Sequence, residues 1–293
     1  MLTKQEFYTR LEKGPMFLDG ATGSNLRKAG MPKDCCAELW ILEHPDVLQN
    51  LQRQYVQAGS QIIYAPTFQA QPLALAKEGK AEQTEHINAQ LVAISRQAAP
   101  DALIAGDLTT MAAFIESYDP SLFDDMVENY RRQIRGLIDG GADLLVAETL
   151  MYRQEAEAIL TAAELEEAGA CLYSFTMQPD ASLFSGAEAG PILKDLEEAG
   201  AAAVGFNCVA ADMMTPYLVS KLRRYVKGPI LCKPNAGNPV INVQGIAEYS
   251  MGPMEFSFIL SDCSNMGASL LGGCCGTDPQ YIRQAVTQIM NKF

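Results

Sequence analysis

Asp143-Leu-Leu-Val-Ala-Glu148 is a short apolar run that begins and ends in a carboxylate and follows the glycine pair Gly140-Gly141. Residues 123–137, ahead of the glycines, carry apolar side chains at helical spacing. A helix that stops at glycine, followed by an apolar run without alternating polar residues, is typical of a helix leading into a strand buried on both faces. The stretch therefore predicts a parallel strand that ends at Glu148.

The same arrangement recurs along the whole chain. The other seven apolar runs are Met16-Phe-Leu-Asp-Gly20, Gln61-Ile-Ile-Tyr-Ala65, Ala102-Leu-Ile-Ala-Gly-Asp107, Ala170-Cys-Leu-Tyr-Ser-Phe-Thr176, Ala201-Ala-Ala-Val-Gly-Phe-Asn207, Pro229-Ile-Leu-Cys-Lys-Pro-Asn235 and Gly267-Ala-Ser-Leu-Leu-Gly273. Helical patterns lie between them, as at residues 46–56, 155–165 and 192–196, and glycines follow these patterns. Eight strand–helix units predict an α/β fold, a (β/α)8 TIM barrel forming a single domain over residues 1–293. The alternative is an open doubly wound sheet, but no Gly-x-Gly-x-x-Gly follows a strand to support its dinucleotide-binding form.

Composition limits the classes of partner. The chain has 293 residues, of which 48% are hydrophobic, and a net charge of −13. It has no basic cluster, so we expect neither nucleic acid nor an anionic membrane as a partner. The first ten residues lack the apolar run of a signal peptide, and no segment approaches the ~18 apolar residues of a membrane span. We therefore expect a cytoplasmic protein whose eight cysteines stay reduced.

Polar residues collect where the predicted strands end, and in an α/β barrel the active site lies at that end. These residues are Asp19, Thr67, Asp107, Glu148, Thr176, Asn207 with Cys208, Asn235, and Cys274 with Cys275. Cys208 follows the sixth strand and the Cys274-Cys275 pair follows the eighth, so one strand separates them around the ring. Three thiols at one face predict a soft-metal site, such as zinc held by three thiolates with its fourth position open.

The other five cysteines are expected to have different roles. Cys171 and Cys232 lie within strands and Cys263 lies in a helical stretch, so we expect all three in the core. Cys35-Cys36 follows the first strand and is an alternative pair of metal ligands.

The shortage of histidine indicates which chemistry the thiols serve. Both histidines, His44 and His86, are predicted to lie at the surface. Zinc that activates water usually has histidine or carboxylate ligands, whereas a site made only of thiolates suits the binding and activation of a substrate thiol.

The strand-end carboxylates point to an amino-acid substrate. A buried acid needs a partner, and Asp19 and Glu148 could hold a substrate ammonium or form a salt bridge to Arg or Lys across the barrel mouth. The turn Asp19-Gly-Ala-Thr-Gly-Ser24 offers backbone N–H groups to a carboxylate. An amino acid that carries a thiol is homocysteine or cysteine.

At this point the sequence resembles the homocysteine-binding domain family, which includes methionine synthases and the betaine– and S-methylmethionine–homocysteine methyltransferases. The likeness spans almost the whole chain. Its motifs are Leu18-Asp-Gly-Ala-Thr-Gly23, Glu38-Leu-Trp-Ile-Leu-Glu-His-Pro-Asp46, Tyr55-Val-Gln-Ala-Gly-Ser-Gln-Ile-Ile63, Ala147-Glu-Thr149, Gly205-Phe-Asn-Cys208, Lys233-Pro-Asn-Ala-Gly237 and Gly272-Gly-Cys-Cys-Gly-Thr277. The Pro-Asn-Ala-Gly run is closer to cobalamin-dependent methionine synthases than to the betaine enzymes.

The resemblance implies a zinc-dependent homocysteine S-methyltransferase that forms methionine. It implies that zinc is bound by Cys208, Cys274 and Cys275, with Asn235 as a fourth ligand only until substrate binds. It implies homocysteine contacts from Asp19, Gly20, Ala21, Thr22, Glu148 and Asn207. The catalytic set is then the three cysteines together with Glu148.

The methyl donor is the open part of this prediction. Ala65-Pro-Thr-Phe68 replaces the Thr-Asn-Thr-Phe usual in methionine synthases, and the first motif ends Thr-Gly-Ser where those enzymes often have Met-Gly-Thr. No pterin-binding or cobalamin-binding module follows the barrel before Phe293. We therefore expect methylcobalamin to be supplied in trans by a separate corrinoid or methyltetrahydrofolate methyltransferase protein.

Three alternatives stay open beside that expectation. The donor could be S-methylmethionine or another small sulfonium. The chain could bind zinc and homocysteine without turnover, although zinc storage would need no amino-acid pocket. The chain could also be a barrel hydrolase or aldolase, but neither of its histidines is predicted to be catalytic. The nearest candidate for a Schiff-base lysine, Lys233, lies where a supporting residue is expected.

Overall fold

The computed structural model describes residues 1–114, 119–242 and 247–291. Within these residues the strands are β1 Met16–Phe17, β2 Ile62–Tyr64, β3 Leu103–Thr109, β4 Leu144–Leu150, β5 Cys171–Phe175, β6 Ala203–Ala210, β7 Ile230–Asn235, β8 Pro239–Ile241, β9 Ala247–Tyr249 and β10 Ala268–Leu271. The α-helices are α1 Lys4–Leu11, α2 Gly23–Lys28, α3 Ala37–Glu43, α4 Pro45–Ala58, α5 Pro72–Ala76, α6 Thr84–Ala98, α7 Phe123–Asp139, α8 Arg153–Leu165, α9 Ala189–Glu198, α10 Thr215–Leu222, α11 Pro253–Asn265 and α12 Pro279–Met290. None of these helices combines the length and the apolar character needed to cross a membrane.

Eight parallel strands form a ring in the order β1-β10-β7-β6-β5-β4-β3-β2. Between β1 and β2 the ring is joined by a parallel bridge from Leu18 to Ile62 and by the Gln61 N–H, which donates to the Phe17 carbonyl at 2.7 Å. Helices alternate with these strands along the chain. The predicted single α/β domain with a (β/α)8 barrel is confirmed, and the open doubly wound sheet is wrong.

Each of the eight predicted apolar runs coincides with one barrel strand, but three strands extend past their predicted ends, and the first of them, β3, reaches Thr109. β4 continues to Leu150 and β6 to Ala210. Both carry a register irregularity in these extra residues, and there the backbone turns left-handed at Thr149 (φ 59°) and Cys208 (φ 57°). Non-glycine residues rarely adopt this conformation, and they commonly do so at functional sites.

The amino-terminal end of the barrel is closed by packing, which leaves the other end for a site. Phe7 of α1 is fully buried in the same apolar cluster as Met16, Leu18 and Leu103. Around the ring, helices bury one face each. As predicted, α4 packs its apolar face inward and ends at Gly59, whose φ of 110° favours glycine.

Residues 237–253 are rich in Gly, Pro and Asn, a composition that predicts an irregular loop over the site. The structure instead forms an antiparallel hairpin here, in which β8 pairs with β9 and Pro239 lies opposite Tyr249. Residues 243–246 lie outside the described residues. The Tyr249 ring packs against Gly276, so closely that any Cβ at that glycine would overlap the ring. The hairpin therefore reaches the turn that carries Cys274 and Cys275.

Candidate metal and substrate site

Three thiols converge at the carboxyl end of the barrel. The Sγ atoms of Cys208, Cys274 and Cys275 all lie within 4.8 Å of one another, and those of Cys208 and Cys275 are 4.0 Å apart. Tetrahedral zinc with Zn–S bonds of ~2.3 Å requires sulfur atoms ~3.8 Å apart. The cluster therefore needs only a small contraction to hold a tetrahedral metal ion on three ligands.

Among the described residues, these cysteines form the single group of three or more His, Cys, Asp or Glu side chains with ligand atoms this close. The alternative pair is not part of it, because the Cys35 thiol donates to the Pro32 carbonyl at 3.2 Å and Cys36 Sγ lies 3.5 Å from Glu38 Oε2. The remaining three cysteines are buried in the core as predicted: Cys171, Cys232 and Cys263. His44 and His86 are exposed, also as predicted.

Hydrogen bonds among the three sulfurs shift their pKa values in a way that favours the binding of a cation. Hydrogen bonds donated by Cys208 and then by Cys274 lower the pKa of Cys275 to about 3. Hydrogen bonding to Cys274 and Cys275, together with burial, raises the pKa of Cys208. One sulfur is thus held as a thiolate by two neighbouring thiols, and a metal ion in their midst would take over the role of those protons.

Asn235 joins the two loops that carry the thiols. Its Oδ1 accepts the Cys275 N–H at 3.0 Å, and its Nδ2 donates to the Cys208 carbonyl at 3.2 Å. The Cys274 N–H donates to the Pro234 carbonyl at 2.7 Å, and Gly276, with φ of 83°, completes the turn. Asn235 therefore fixes the backbone on both sides of the cluster. That Asn235 is the fourth zinc ligand in the absence of substrate stays a prediction.

Asn207 is fully buried, and its side chain forms hydrogen bonds with residues of β4 and β5. Its Oδ1 accepts from the Thr149 N–H at 2.8 Å and from the Ser174 hydroxyl at 2.9 Å. Its Nδ2 donates to Thr149 Oγ1 at 2.7 Å and lies 3.4 Å from Glu148 Oε2. These bonds brace the two left-handed residues, Thr149 and the adjoining Cys208, which aim side chains into the site.

Lys233 neutralises the carboxylates that were predicted to bind an ammonium. Its Nζ lies 3.5 Å from Asp19 Oδ1, 3.6 Å from Glu148 Oε2 and 4.3 Å from the centre of the Tyr64 ring. Burial raises the pKa of Asp19 to about 6 and that of Glu148 to about 7, and Lys233 opposes both shifts. The salt-bridge alternative is therefore confirmed for this pair, as is the supporting position expected for Lys233.

A cavity of about 560 Å³ opens beside the thiols. Of the predicted site residues, its walls include Gly20, Ala21, Thr22, Glu148, Cys208, Cys274 and Cys275. Asp19, Asn207 and Asn235 are not among the lining residues and lie behind the wall, where they hold other groups. Direct contacts of Asp19 and Asn207 with a substrate stay predictions.

The first-strand turn approaches the cavity closely. Gly20 permits this approach, because a Cβ there would lie 2.6 Å from Tyr55 Oη and 2.8 Å from Thr277 Oγ1. The Ala21 N–H already donates to Thr277 Oγ1 at 3.2 Å. Ala21 therefore lines the cavity, although its amide already has a protein partner.

Sequence reasoning missed several supporting residues. Ser174 bonds to Asn207, and no local pattern marks it. Thr149 also bonds to Asn207, and it was noticed only as the last residue of the Ala147-Glu-Thr149 motif, without a role. Asp107 was noticed as a strand-end residue but received no role, and it lies in the cavity wall 4% exposed. The signal available for Asp107 was a lone acid at the end of an otherwise apolar predicted strand.

The chain is similar in sequence to proteins of known function. A sequence profile described as homocysteine S-methyltransferase matches residues 16–289. The chain is similar to a methionine synthase of Mycobacterium tuberculosis, with 27% identity over 302 residues, covering 96% of this chain and 25% of that protein. It is equally similar to a methionine synthase of Mycobacterium leprae, with 27% identity over 295 residues, covering 92% and 24%. The chain spans about a quarter of the length of these relatives.

Solved structures share the fold. The metallated form of the homocysteine methyltransferase MmuM from Escherichia coli superposes with a TM-score of 0.81 at 24% identity, covering 96% of this chain and 98% of that one. The oxidized form gives 0.80 at 24% identity, covering 94% and 96%. At this level of identity the likeness concerns the barrel itself.

Proposed function

The chain belongs to the homocysteine S-methyltransferase family and is a methyltransferase, and we propose that it is a zinc-dependent enzyme that methylates homocysteine to methionine. The observation that carries this proposal is the convergence of three cysteines beside a cavity that is also lined by the acids Asp107 and Glu148. The thiols would hold the metal that binds the sulfur of a thiol-bearing amino acid, and the acidic side chains of the cavity would bind its ammonium group.

Zinc fits the donor set because the three sulfurs approach tetrahedral spacing and all three cysteines line the cavity. Cys208, Cys274 and Cys275 would hold the ion. When bound, zinc on three thiolates lowers the pKa of a substrate thiol and keeps its sulfur nucleophilic at neutral pH. Such thiols persist in a reducing compartment, and we propose the cytoplasm as the site of action.

The remaining residues orient the substrate. Glu148 lies in the cavity wall and bears a carboxylate that can accept hydrogen bonds from the α-ammonium. Asn207, behind it, holds Glu148 and the residues next to the cluster in one arrangement. Fixing the sulfur and the amino group together places the nucleophile before the donor arrives.

Methyl transfer then needs a donor in line with the sulfur. The homocysteine sulfur loses its proton and forms a bond to the methyl carbon. The bond between that carbon and the donor breaks, and its electron pair stays with the donor. We propose a methylated corrinoid on a separate protein as the donor, supported by the similarity to methionine synthases and by the resemblance of the Lys233-Pro-Asn-Ala-Gly237 run to the cobalamin-dependent ones.

A second candidate donor is favoured by the size of the cavity. A volume of about 560 Å³ is in the range that accommodates drug-sized ligands, so homocysteine leaves space unfilled. Phe68 lines the cavity, and an aromatic ring can face a cationic sulfonium. S-Methylmethionine would fit this description.

The experiment is methionine formation by zinc-loaded protein with each donor offered separately: S-methylmethionine, free methylcobalamin and a methylcorrinoid protein. The proposal expects efficient turnover with the corrinoid donors and little with the sulfonium. Rapid methionine formation from S-methylmethionine alone would overturn the corrinoid donor and leave homocysteine methylation intact. Homocysteine binding without turnover from any donor would favour a non-catalytic binding protein.

A further inference from the structure

Two turns meet at the carboxyl end of the barrel, where β1 and β10 pair in parallel. The first-strand turn, residues 19–22, follows β1, and the thiol turn, residues 272–277, follows β10. The Gly273 N–H of the second donates to the Asp19 carbonyl of the first at 3.1 Å. Residues of both turns line the same cavity. A movement of one turn is therefore close enough to reach the other.

Thr277 links the two turns through its hydroxyl group. Its Oγ1 accepts the Ala21 N–H at 3.2 Å and donates to the Cys274 carbonyl at 2.8 Å. The Thr277 N–H donates to the same carbonyl at 3.2 Å. Thr277 is fully buried, so water does not compete for these bonds. A single hydroxyl therefore joins the backbone of a cluster cysteine to an amide of the first-strand turn.

Two side chains from the neighbouring helices strengthen this link. Asn25 Nδ2 donates to the Ala21 carbonyl at 2.7 Å and to the Thr277 carbonyl at 2.8 Å. The hydroxyl of the buried Tyr55 donates to the Ala21 carbonyl at 2.8 Å. No free space separates these groups, because a Cβ on Gly20 would lie 2.6 Å from Tyr55 Oη and 2.8 Å from Thr277 Oγ1. We therefore expect the two turns to move together.

Metal binding at the thiols would supply a movement to transmit. The three Sγ atoms lie within 4.8 Å of one another, whereas tetrahedral zinc requires ~3.8 Å. Cys274 is buried, so its side chain has little room to turn without its backbone. Thr277 follows that backbone through its two bonds to the Cys274 carbonyl, and the Ala21 N–H follows the Thr277 hydroxyl. The contraction of the cluster is thus passed to the first-strand turn.

We propose that Thr277 is a positioning residue that couples the two turns, so that metal binding at the thiols sets the place of the first-strand turn in the cavity wall. The inference rests on the proposed function, since it concerns the same metal and the same cavity. The cavity then reaches its final shape only in the metal-loaded protein. By linkage, a ligand that needs this shape also tightens the binding of the metal.

The test is amide hydrogen exchange of the reduced protein with and without zinc, in the wild type and in two variants. Thr277→Val keeps the shape of the side chain and removes the hydroxyl, whereas Thr277→Ser keeps the hydroxyl. In the wild type and in Thr277→Ser, we expect zinc to slow exchange at both residues 272–277 and residues 20–22 by roughly 5- to 150-fold, the usual range for two coupled sites. In Thr277→Val the effect should persist at residues 272–277 and disappear at residues 20–22.

The matched control is Thr84→Val. Thr84 is another fully buried threonine, and its hydroxyl donates to the Ala81 carbonyl at 2.6 Å, but it does not line the cavity. This variant should keep the response to zinc at both turns. A response at residues 20–22 that persists in Thr277→Val, or that is lost equally in Thr84→Val, would overturn the inference.

Norleucine gives a second readout through binding. It has the shape of methionine but no sulfur, so it cannot bind the zinc directly. By calorimetry, we expect the zinc-loaded wild type to bind norleucine about 5-fold or more tightly than the metal-free protein. Thr277→Ser should keep this difference and Thr277→Val should lose it. Norleucine that binds no more tightly to the zinc-loaded wild type contradicts the coupling.

The wild type separates failure of the inference from failure of the proposed function. If zinc binds at the thiols and exchange at residues 20–22 does not respond, the inference fails while the proposed function stands. If the reduced wild type binds no zinc, both fail together.

Discussion

Lys233→Met removes the cation that lies between two buried carboxylates. Lys233 is 3% exposed, and its Nζ is within 3.6 Å of both Asp19 Oδ1 and Glu148 Oε2. Methionine keeps a similar length and shape, so the change removes charge without leaving a large void. We expect the variant to lose stability at alkaline pH and to recover part of it in mild acid.

The size of the loss follows from the burial of the acids. Even beside Lys233, burial raises the pKa of Asp19 from 3.8 to about 6. A shift of about two units corresponds to about 3 kcal/mol against the ionised form. Removing one partner of a buried ion pair costs about 3–5 kcal/mol. We therefore expect Lys233→Met to lower the free energy of unfolding by about 4 kcal/mol near pH 8.

The sign of the pH dependence can be derived from the same pKa values. An acid whose pKa is raised on folding favours the protonated folded state, so its contribution is full below its unfolded pKa and is lost as pH rises through its folded pKa. With the pKa of Asp19 at about 6 and that of Glu148 at about 7, both are mostly protonated in the folded state near pH 5. Near that pH the loss in Lys233→Met should shrink to roughly 1–2 kcal/mol.

The assay is urea denaturation followed by circular dichroism near pH 5 and near pH 8. Lys194→Met is the matched control, since Lys194 Nζ pairs with Glu198 Oε1 at 3.6 Å on the exposed surface of α9. That pair should contribute less than about 1 kcal/mol at either pH. The reasoning is refuted if Lys233→Met loses the same free energy at both pH values, or no more than the control.

Two further substitutions test the packing around the site. Gly205→Ala should lower the free energy of unfolding by about 3 kcal/mol or more, because its Cβ would overlap the backbone of β7, whereas Gly23→Ala has open space and should be neutral or stabilising in the same denaturation assay. Ser174→Ala should cost about 1 kcal/mol and speed zinc loss to a chelator, because it removes the hydroxyl that bonds to Asn207 Oδ1. Ser261→Ala removes a buried hydroxyl that has no partner and should change neither quantity.

The barrel could be predicted because its strands are buried on both faces and therefore read as unbroken apolar runs. Residues 143–148 are an example, and the structure forms β4 there. The hairpin of β8 and β9 escaped prediction because its strands are short and largely exposed, as at Val240 and Ile241, so burial imposes no pattern on them. Their pairing depends on the partner strand rather than on local sequence.

The thiol cluster was predictable in membership but not in detail. Cys208 lies near the end of β6 and the Cys274-Cys275 pair follows β10, and the order of the ring confirms that β7 lies between these two strands. The left-handed backbone at Thr149 and Cys208 depends on side-chain hydrogen bonds that Asn207 makes across strands. Contacts of this kind join residues 58 positions apart and have no local signal.

The assignment of the acids shows the same limit. Any of the strand-end carboxylates could have met a lysine, since the reach of a side chain across a barrel is not encoded by its neighbours. Lys233 lies between Asp19 and Glu148, whereas the Oδ1 atom of Asp107 has no hydrogen-bond partner. Only the three-dimensional arrangement separates an acid that is already paired from one that is available to a ligand.

The most direct test of the central claim is the zinc content of the reduced protein, measured together with homocysteine binding, in the wild type and in Cys208→Ser. The account predicts one tightly held zinc per chain in the wild type and homocysteine binding that depends on it, with both lost in Cys208→Ser. Cys35→Ser, a half-buried cysteine outside the cluster, should retain both. A reduced wild type that holds no stoichiometric zinc, or a Cys208→Ser protein that keeps zinc and binds homocysteine normally, would contradict the account.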